Sequence, residues 1–160
     1  MGSLKSTDTE LQVESPVKVR DRAKRLPGGH HPIEIEYWYI LPTLRREVAV
    51  NLKEFGRLRQ KEIADILGIT EAAVSQYIKG TRGVLELEDG GILLIPDWLI
   101  AEIKKSVNEI LKDTKDRSQF LKEINRLMTV IRDNPLDFLC PVHIAFGRAD
   151  ENCKICLDEP

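Results

Sequence analysis

The residues best suited to chemistry in this sequence are metal-ligand types near its C-terminus. They form two pairs, Cys140-Pro-Val-His143 and Cys153-Lys-Ile-Cys156, separated by residues 144–152. Three thiolates and one imidazole suit tetrahedral zinc, which bonds sulfur at about 2.3 Å and nitrogen at about 2.0 to 2.1 Å. Metal binding can also supply folding energy to a short tail that has no core of its own. We therefore predict a metal site formed by Cys140, His143, Cys153 and Cys156.

The same cysteines are compatible with a second metal chemistry. Three thiolates can hold an iron-sulfur cluster, with His143 or an open position completing the coordination, and oxidation would then change the charge of the cluster. Histidine is routine as a zinc ligand and less usual on clusters, so the ligand set favours zinc. A third interpretation is three unrelated cysteines near a frayed terminus. The sequence leaves these alternatives open.

A second set of functional residues lies in the middle of the chain, where residues 60–80 predict two short helices joined by a tight turn. Gly68 can adopt the left-handed conformation that ends the first helix, and Thr70 is placed to N-cap a second helix over Glu71 to Lys79. Apolar residues at helical spacing face inward: Ile63, Ile66, Leu67, Val74, Tyr77 and Ile78. The remaining face of the second helix is short and polar, as expected of a helix that lies in the major groove of DNA.

The residue types in this segment match particular kinds of DNA contact. Gln60 and Lys61, at the positive end of the first helix, are suited to binding phosphate groups. On the second helix, Gln76 can pair bidentately with adenine. Lys79 and Arg82 would hold the DNA backbone beyond that helix. The predicted DNA-binding set is Gln60, Lys61, Thr70, Glu71, Ala72, Ser75, Gln76, Lys79 and Arg82, of which Glu71, Ala72, Ser75 and Gln76 should meet base edges.

The segment before the two helices must support them. A helix is predicted from Pro42 to about Phe55, because apolar residues repeat there at three- and four-residue steps and proline suits the first turn of a helix. The preceding residues, Ile33 to Leu41, are rich in aromatic and β-branched types. Residues 1–31 lack hydrophobic periodicity and contain a basic cluster, so we predict a disordered arm that either wraps DNA or is a solvated tail.

The segment after the two helices predicts a small hairpin and then two more helices. Val84 to Leu87 and Ile92 to Ile95 flank Asp89-Gly90-Gly91, which is typical of a β-hairpin. Helices are then predicted from Asp97 to about Asp113 and from about Arg117 to Asn134. Both carry heavily apolar faces, so they either pack over the central helices or form a dimer interface.

The charge of the chain is divided unevenly along its length. The formal net charge is -2, but residues 16–83 carry 13 Lys or Arg against 8 Asp or Glu, whereas residues 84–160 carry 10 against 15. The balance is therefore +5 around the predicted DNA-binding segment, where phosphate groups must be neutralised, and -5 after it. No apolar run approaches the roughly 20 residues of a membrane span, and the N-terminus lacks the apolar region of a signal peptide. We therefore expect a cytoplasmic protein.

Two stretches of the sequence carry a family resemblance: EYWYILPTLRREVA, from Glu36 to Ala49, and LRQKEIADILGITEAAVSQYIKGTRG, from Leu58 to Gly83. They resemble predicted transcriptional regulators of archaea that carry a lambda-repressor-like, or Cro/C1-type, helix-turn-helix. The resemblance covers about residues 32 to 83 and implies sequence-specific DNA binding. The chain departs from the family pattern at Arg59, where a capping Ser or Thr is common. It also departs at Ile33, where a cysteine is expected, so no metal role is assigned to that position.

These observations predict a mostly α-helical protein that is not an enzyme, since no nucleophile, base and orienting group occur together. The expected partners are double-stranded DNA and a second copy of the chain, without a membrane. The rival interpretation is a metal-dependent adaptor that binds another protein of the transcription machinery. The predicted organisation is a basic arm (1–31), a helix-turn-helix domain (32–83), a hairpin (84–95), a helical dimerisation or packing region (96–134) and a Cys/His metal-binding tail (135–160).

Overall fold

The computed structural model describes residues 29–157, and in this part of the chain the predicted mostly α-helical class is confirmed. The predicted basic arm lies almost wholly outside the described residues. The elements, in chain order, are α1 (Pro32–Ile35), a π-helical turn (Glu36–Ile40), α2 (Leu41–Glu54), α3 (Gln60–Leu67), α4 (Glu71–Lys79), α5 (Asp97–Lys112), α6 (Arg117–Asp133), a 3-10 turn (Pro135–Asp137) and α7 (Leu139–Gly147).

The first helical run begins at Pro32 and passes through Pro42, where the sequence had indicated a helix start. A proline inside a helix lacks an N–H group, and its ring collides with the carbonyl one turn earlier. The turn ahead of Pro42 is widened to a π-helix, in which the Leu41 N–H donates to the carbonyl of Glu36, five residues back. This widening lets the helical run continue across the proline, so the aromatic stretch before it is helical as well.

The long helix α2 is central to the core. It packs against α3, α4 and α5, while α6 packs against α5 and α3. Leu44, Val48 and Leu52 of α2 are fully buried at the three- to four-residue spacing that the sequence predicted. The apolar faces of α5 and α6 are likewise buried within the chain, by residues such as Ile103 and Leu127. The apolar faces of both helices therefore pack over the central helices, which is the first of the two roles predicted for them.

The segment predicted as a β-hairpin is a reversal of the chain with little strand structure. In the described residues its only bridge is an isolated antiparallel pair, Glu86 with Ile92. Three backbone hydrogen bonds accompany it, among them the one from the Leu93 N–H to the Leu85 carbonyl at 2.9 Å. Gly90 has a φ of 83°, as the predicted turn requires. A single hairpin of this length gains too little from pairing alone to form extended strands.

The C-terminal region contains a helix that the sequence did not predict. Helix α7 packs against α1 and the π-helical turn, and Phe138 and Val142 are fully buried there. The rings of Tyr39 and Phe146 stack with their centroids 4.7 Å apart. This region therefore belongs to the main core, contrary to the expectation of a tail without one. Among residues 29–157, the structure has no helix with both the length and the apolar character needed to cross a membrane.

Candidate functional site

Helices α3 and α4 begin and end where the local sequence predicts. Gly68 adopts the left-handed conformation, with a φ of 67°, and ends α3. The Thr70 hydroxyl then accepts a hydrogen bond from the Ala73 N–H at 3.1 Å and caps α4. Gly80, with a φ of 74°, ends α4 in the same left-handed conformation. Both ends of α4 are therefore set by the residues that directly flank the helix, Thr70 and Gly80.

The start of α3 is capped in an unusual way. Arg59 occupies the N-cap position, where a Ser or Thr side chain would normally accept a hydrogen bond. Here the Glu62 carboxylate reaches back and accepts from the Arg59 N–H at 2.7 Å. That hydrogen bond, together with the Arg59 side chain, lowers the pKa of Glu62. The capping role is thus taken by the third residue of the helix instead of the residue before it.

The predicted base-contacting residues lie on the solvent side of α4. Glu71, Ala72 and Gln76 are exposed and Ser75 is half-buried, whereas Tyr77 is buried against the core. The positions 72 and 76, one helical turn apart, stand above one another on the same face. The structure therefore brings together the four residues predicted to read base edges on one short polar face that is open to solvent.

The predicted phosphate-binding residues are also accessible. Lys61, Lys79 and Arg82 are exposed, and none of them forms an ion pair within residues 29–157. The Arg82 guanidinium lies 5.2 Å from the centre of the Tyr77 ring, a cation-π contact that holds it at the end of α4. Gln60 is half-buried at the start of α3. Two positive charges without carboxylate partners in the described residues, Lys79 and Arg82, thus lie at the end of α4, and Lys61 lies in the first turn of α3.

Arg45 and two aromatic residues beside it were missed by the sequence analysis. Tyr37, Trp38 and Arg45 line a groove of about 400 Å³ together with Arg82. They come from the π-helical turn and α2, whereas Arg82 follows α4. The basic and aromatic composition of Glu36 to Ala49 was visible in the sequence, but its position beside Arg82 depends on how α2 packs against α4.

The structure brings two of the predicted metal ligands into direct interaction. The thiols of Cys140 and Cys156 share a hydrogen-bond interaction, and Cys153 is close enough to influence Cys156 electrostatically. Burial raises the pKa of the Cys156 thiol to about 11, with a further contribution from the two neighbouring thiols. Burial also raises the pKa of Cys140. None of the three cysteines is in a disulfide, and all three are half-buried.

His143 is placed differently from the predicted ligand set. It is buried in α7, and its Nε2–H donates to the His30 carbonyl oxygen at 2.5 Å. The close contact with Gly147, where an added Cβ would lie 2.5 Å from the His143 ring, fixes it there. Across residues 29–157 no three His, Cys, Asp or Glu side chains are grouped so that they could hold a metal ion. The arrangement described by the structure therefore does not fit the predicted Cys3His cage.

The comparisons with known proteins assign no family to this chain. Neither a protein-family model, nor a curated protein, nor a solved structure matches it.

Proposed function

We propose that the chain is a sequence-specific DNA-binding transcription regulator that places α4 in the major groove. The observation that carries this proposal is the short polar face of α4, which is exposed although the opposite face, with Val74 and Tyr77, is fully buried. A helix that reads base edges needs this combination, because its buried face fixes its position while its small polar face enters the groove.

The charge around α4 supports nucleic acid as the partner. Lys61 of α3, Lys79 of α4 and Arg82 have no carboxylate partners in the described part of the chain. Binding to DNA releases counterions in proportion to the phosphates that such residues neutralise, so unpaired cations add directly to affinity.

Within this proposal the residues of α4 divide into two roles. Gln76 is suited to a bidentate pair with adenine and Glu71 to accepting from cytosine, each good bidentate pair being worth about 1–3 kcal/mol of discrimination. Ala72 can contact a thymine methyl group. Lys79 and Arg82 hold phosphates and set the register without reading sequence. The resemblance of residues 32 to 83 to lambda-repressor-like regulators implies sequence-specific DNA binding.

A dimer is part of the proposal, since helix-turn-helix proteins usually read two half-sites related by a two-fold axis. The apolar faces of α5 and α6 are buried within the chain, so a second copy would have to bind elsewhere. Exposed apolar side chains that could contribute are Ile92 and Leu94, which are 56% and 80% exposed. Sedimentation equilibrium with and without DNA would measure the stoichiometry directly.

The proposed function is tested by selection from a random duplex library with the full chain, followed by sequencing of the retained DNA. We expect one enriched motif whose binding competes with a large excess of random duplex. Retention of DNA without any enriched motif would limit the activity to non-specific binding and contradict sequence-specific regulation. Failure to retain DNA at low salt would contradict the whole proposal.

A further inference from the structure

The groove beside α4 has a composition that points to a ligand. It has a volume of about 400 Å³ and lies between the π-helical turn and the segment that follows α4. Its wall includes three consecutive aromatic residues, Tyr37 to Tyr39, and two arginines, Arg45 and Arg82. None of its lining residues is acidic. The groove is therefore a positively charged, aromatic surface with no internal counter-charge.

The two arginines of the groove differ from their neighbours in lacking a carboxylate partner within the described residues. Nearby, Arg46 pairs with Glu47, and Arg132 pairs with Glu36 at 2.6 Å. Arg45 and Arg82 make no ion pair within residues 29–157. An anionic ligand in the groove would supply a counter-charge to both guanidinium groups.

The aromatic residues add a second kind of recognition. Tyr37 is 68% exposed and Trp38 is 49% exposed, although both sit on a helical run whose other face is buried. Exposed aromatic rings beside arginines are a common surface for nucleotides, because rings stack against bases or sugars while guanidinium groups bind phosphate. The combination favours a phosphate ester that carries a sugar or base over a simple inorganic anion.

The groove is built by close backbone packing and not by flexible side chains alone. Gly83 has a φ of 78°, and an added Cβ would lie 2.6 Å from the Pro42 carbonyl oxygen. This contact holds the residue next to it, Arg82, against the start of α2, where Arg45 also lies. The cation-π contact between Arg82 and Tyr77 restrains the guanidinium further. The Arg82 side chain is thus restrained beside α2 before any ligand arrives.

We propose that this groove binds the phosphate ester of a nucleotide, with the phosphate between Arg45 and Arg82 and the sugar or base against Tyr37 and Trp38. The nucleotide has two sources, a free mononucleotide or a residue of the DNA backbone beside α4. Only the second source rests on the proposed DNA-binding function. In that case Arg45 is a positioning residue, which fixes the register of α4 on the duplex without reading bases.

The first experiment titrates the full chain with adenosine monophosphate and, separately, with inorganic phosphate. Trp98→Phe leaves Trp38 as the only tryptophan, so that its fluorescence reports on the groove. A free-nucleotide site predicts quenching by adenosine monophosphate and weaker or no quenching by phosphate alone. Arg45→Ala should then reduce the affinity for adenosine monophosphate at least about tenfold, since the substitution removes a charge-assisted contact. Lys122→Ala removes an exposed charge outside the groove and should have no effect.

The second experiment measures DNA affinity against salt concentration for the same variants. If a backbone nucleotide occupies the groove, Arg45→Ala reduces the magnitude of the slope of log K against log salt by about 0.9, the value for one phosphate contact. Base preference should remain unchanged. Lys122→Ala should keep the slope of the unsubstituted protein.

The two measurements together decide the proposal. Loss of nucleotide quenching in Arg45→Ala with an unchanged salt slope assigns the groove to a free nucleotide. A reduced slope without quenching by mononucleotide assigns it to the DNA backbone. No quenching combined with an unchanged slope overturns the proposal. If the unsubstituted protein binds no DNA, the proposed function fails. The fluorescence titration alone then tests the nucleotide site, and absence of quenching overturns that proposal as well.

Discussion

Gly83 lies directly against Pro42: a Cβ added to the glycine would be 2.6 Å from the proline carbonyl oxygen. The same Cβ would be 2.8 Å from the Cβ of Arg46. Real side chains do not approach backbone oxygens so closely, so the segment after α4 can pack on α2 only because residue 83 is glycine. This contact joins the end of the proposed DNA-binding helix to the start of the central helix.

Gly83→Ala is therefore expected to destabilise the protein by at least about 2 kcal/mol, through both the left-handed backbone and the overlap with Pro42. Chemical denaturation followed by circular dichroism measures the loss. Gly90→Ala is the matched control, since Gly90 has a similar φ of 83° but no atom within 4 Å of an added Cβ. Gly90→Ala should lower the free energy of unfolding by only about 1 kcal/mol. Equal losses in the two variants would show that the packing against Pro42 contributes nothing.

Gln76→Ala is expected to relax base preference at one position of the selected DNA motif, by about 1–3 kcal/mol, because the proposed bidentate pair with adenine is lost. Arg82→Ala is expected to weaken binding to all duplexes and to reduce the salt slope by about 0.9. Competition between specific and random DNA, followed by fluorescence anisotropy, separates the two effects. If both variants lose affinity equally for specific and random DNA, the roles assigned to these residues are wrong.

Glu62→Ala is expected to lower the thermal midpoint near pH 7, because the carboxylate no longer accepts from the Arg59 N–H. The pKa of Glu62 is lowered in the folded state. Its contribution is therefore complete above the unfolded pKa, about 4.3, and is lost as the pH falls through the lower folded value. The difference in thermal midpoint between the variant and the unsubstituted protein should shrink as the pH falls below about 4.

Glu54→Ala serves as the control for this pH series. Glu54 is an exposed carboxylate at the end of α2 and does not form an ion pair within residues 29–157. Glu54→Ala should cause no comparable loss of thermal midpoint at neutral pH. A Glu62→Ala difference that stays constant from neutral to acid pH would contradict the proposed capping role of the charged carboxylate.

The zinc prediction is tested by elemental analysis and an absorption spectrum on protein purified without oxygen. The predicted Cys3His site requires stoichiometric zinc without a visible band. Iron and sulfide with a broad visible band that air bleaches would support the cluster alternative. Absence of any metal would contradict both. Cys156→Ser should abolish the binding of either metal, whereas Ser118→Ala, at an exposed position, should preserve it.

Local signals explain why α3 and α4 could be predicted closely. Gly68 and Thr70 act on the backbone within a few residues of themselves, so the turn and the cap are encoded where they occur. The same holds for the spacing of apolar residues on α2, α5 and α6. The predicted start of α2 at Pro42 lies one residue from the observed start at Leu41, but the π-helical turn and α1 that continue the helical run before it were not predicted.

By itself, the sequence determined the mostly helical class, the bounds of α4 and the residues on its polar face, because each depends on neighbours along the chain. Only the tertiary structure decided that Arg45 stands beside Arg82, that His143 turns toward the His30 carbonyl and that α7 completes the core. These relationships join residues that are far apart in the chain. They arise from packing between helices, where burial and backbone contact select one arrangement among many that the same local pattern would allow.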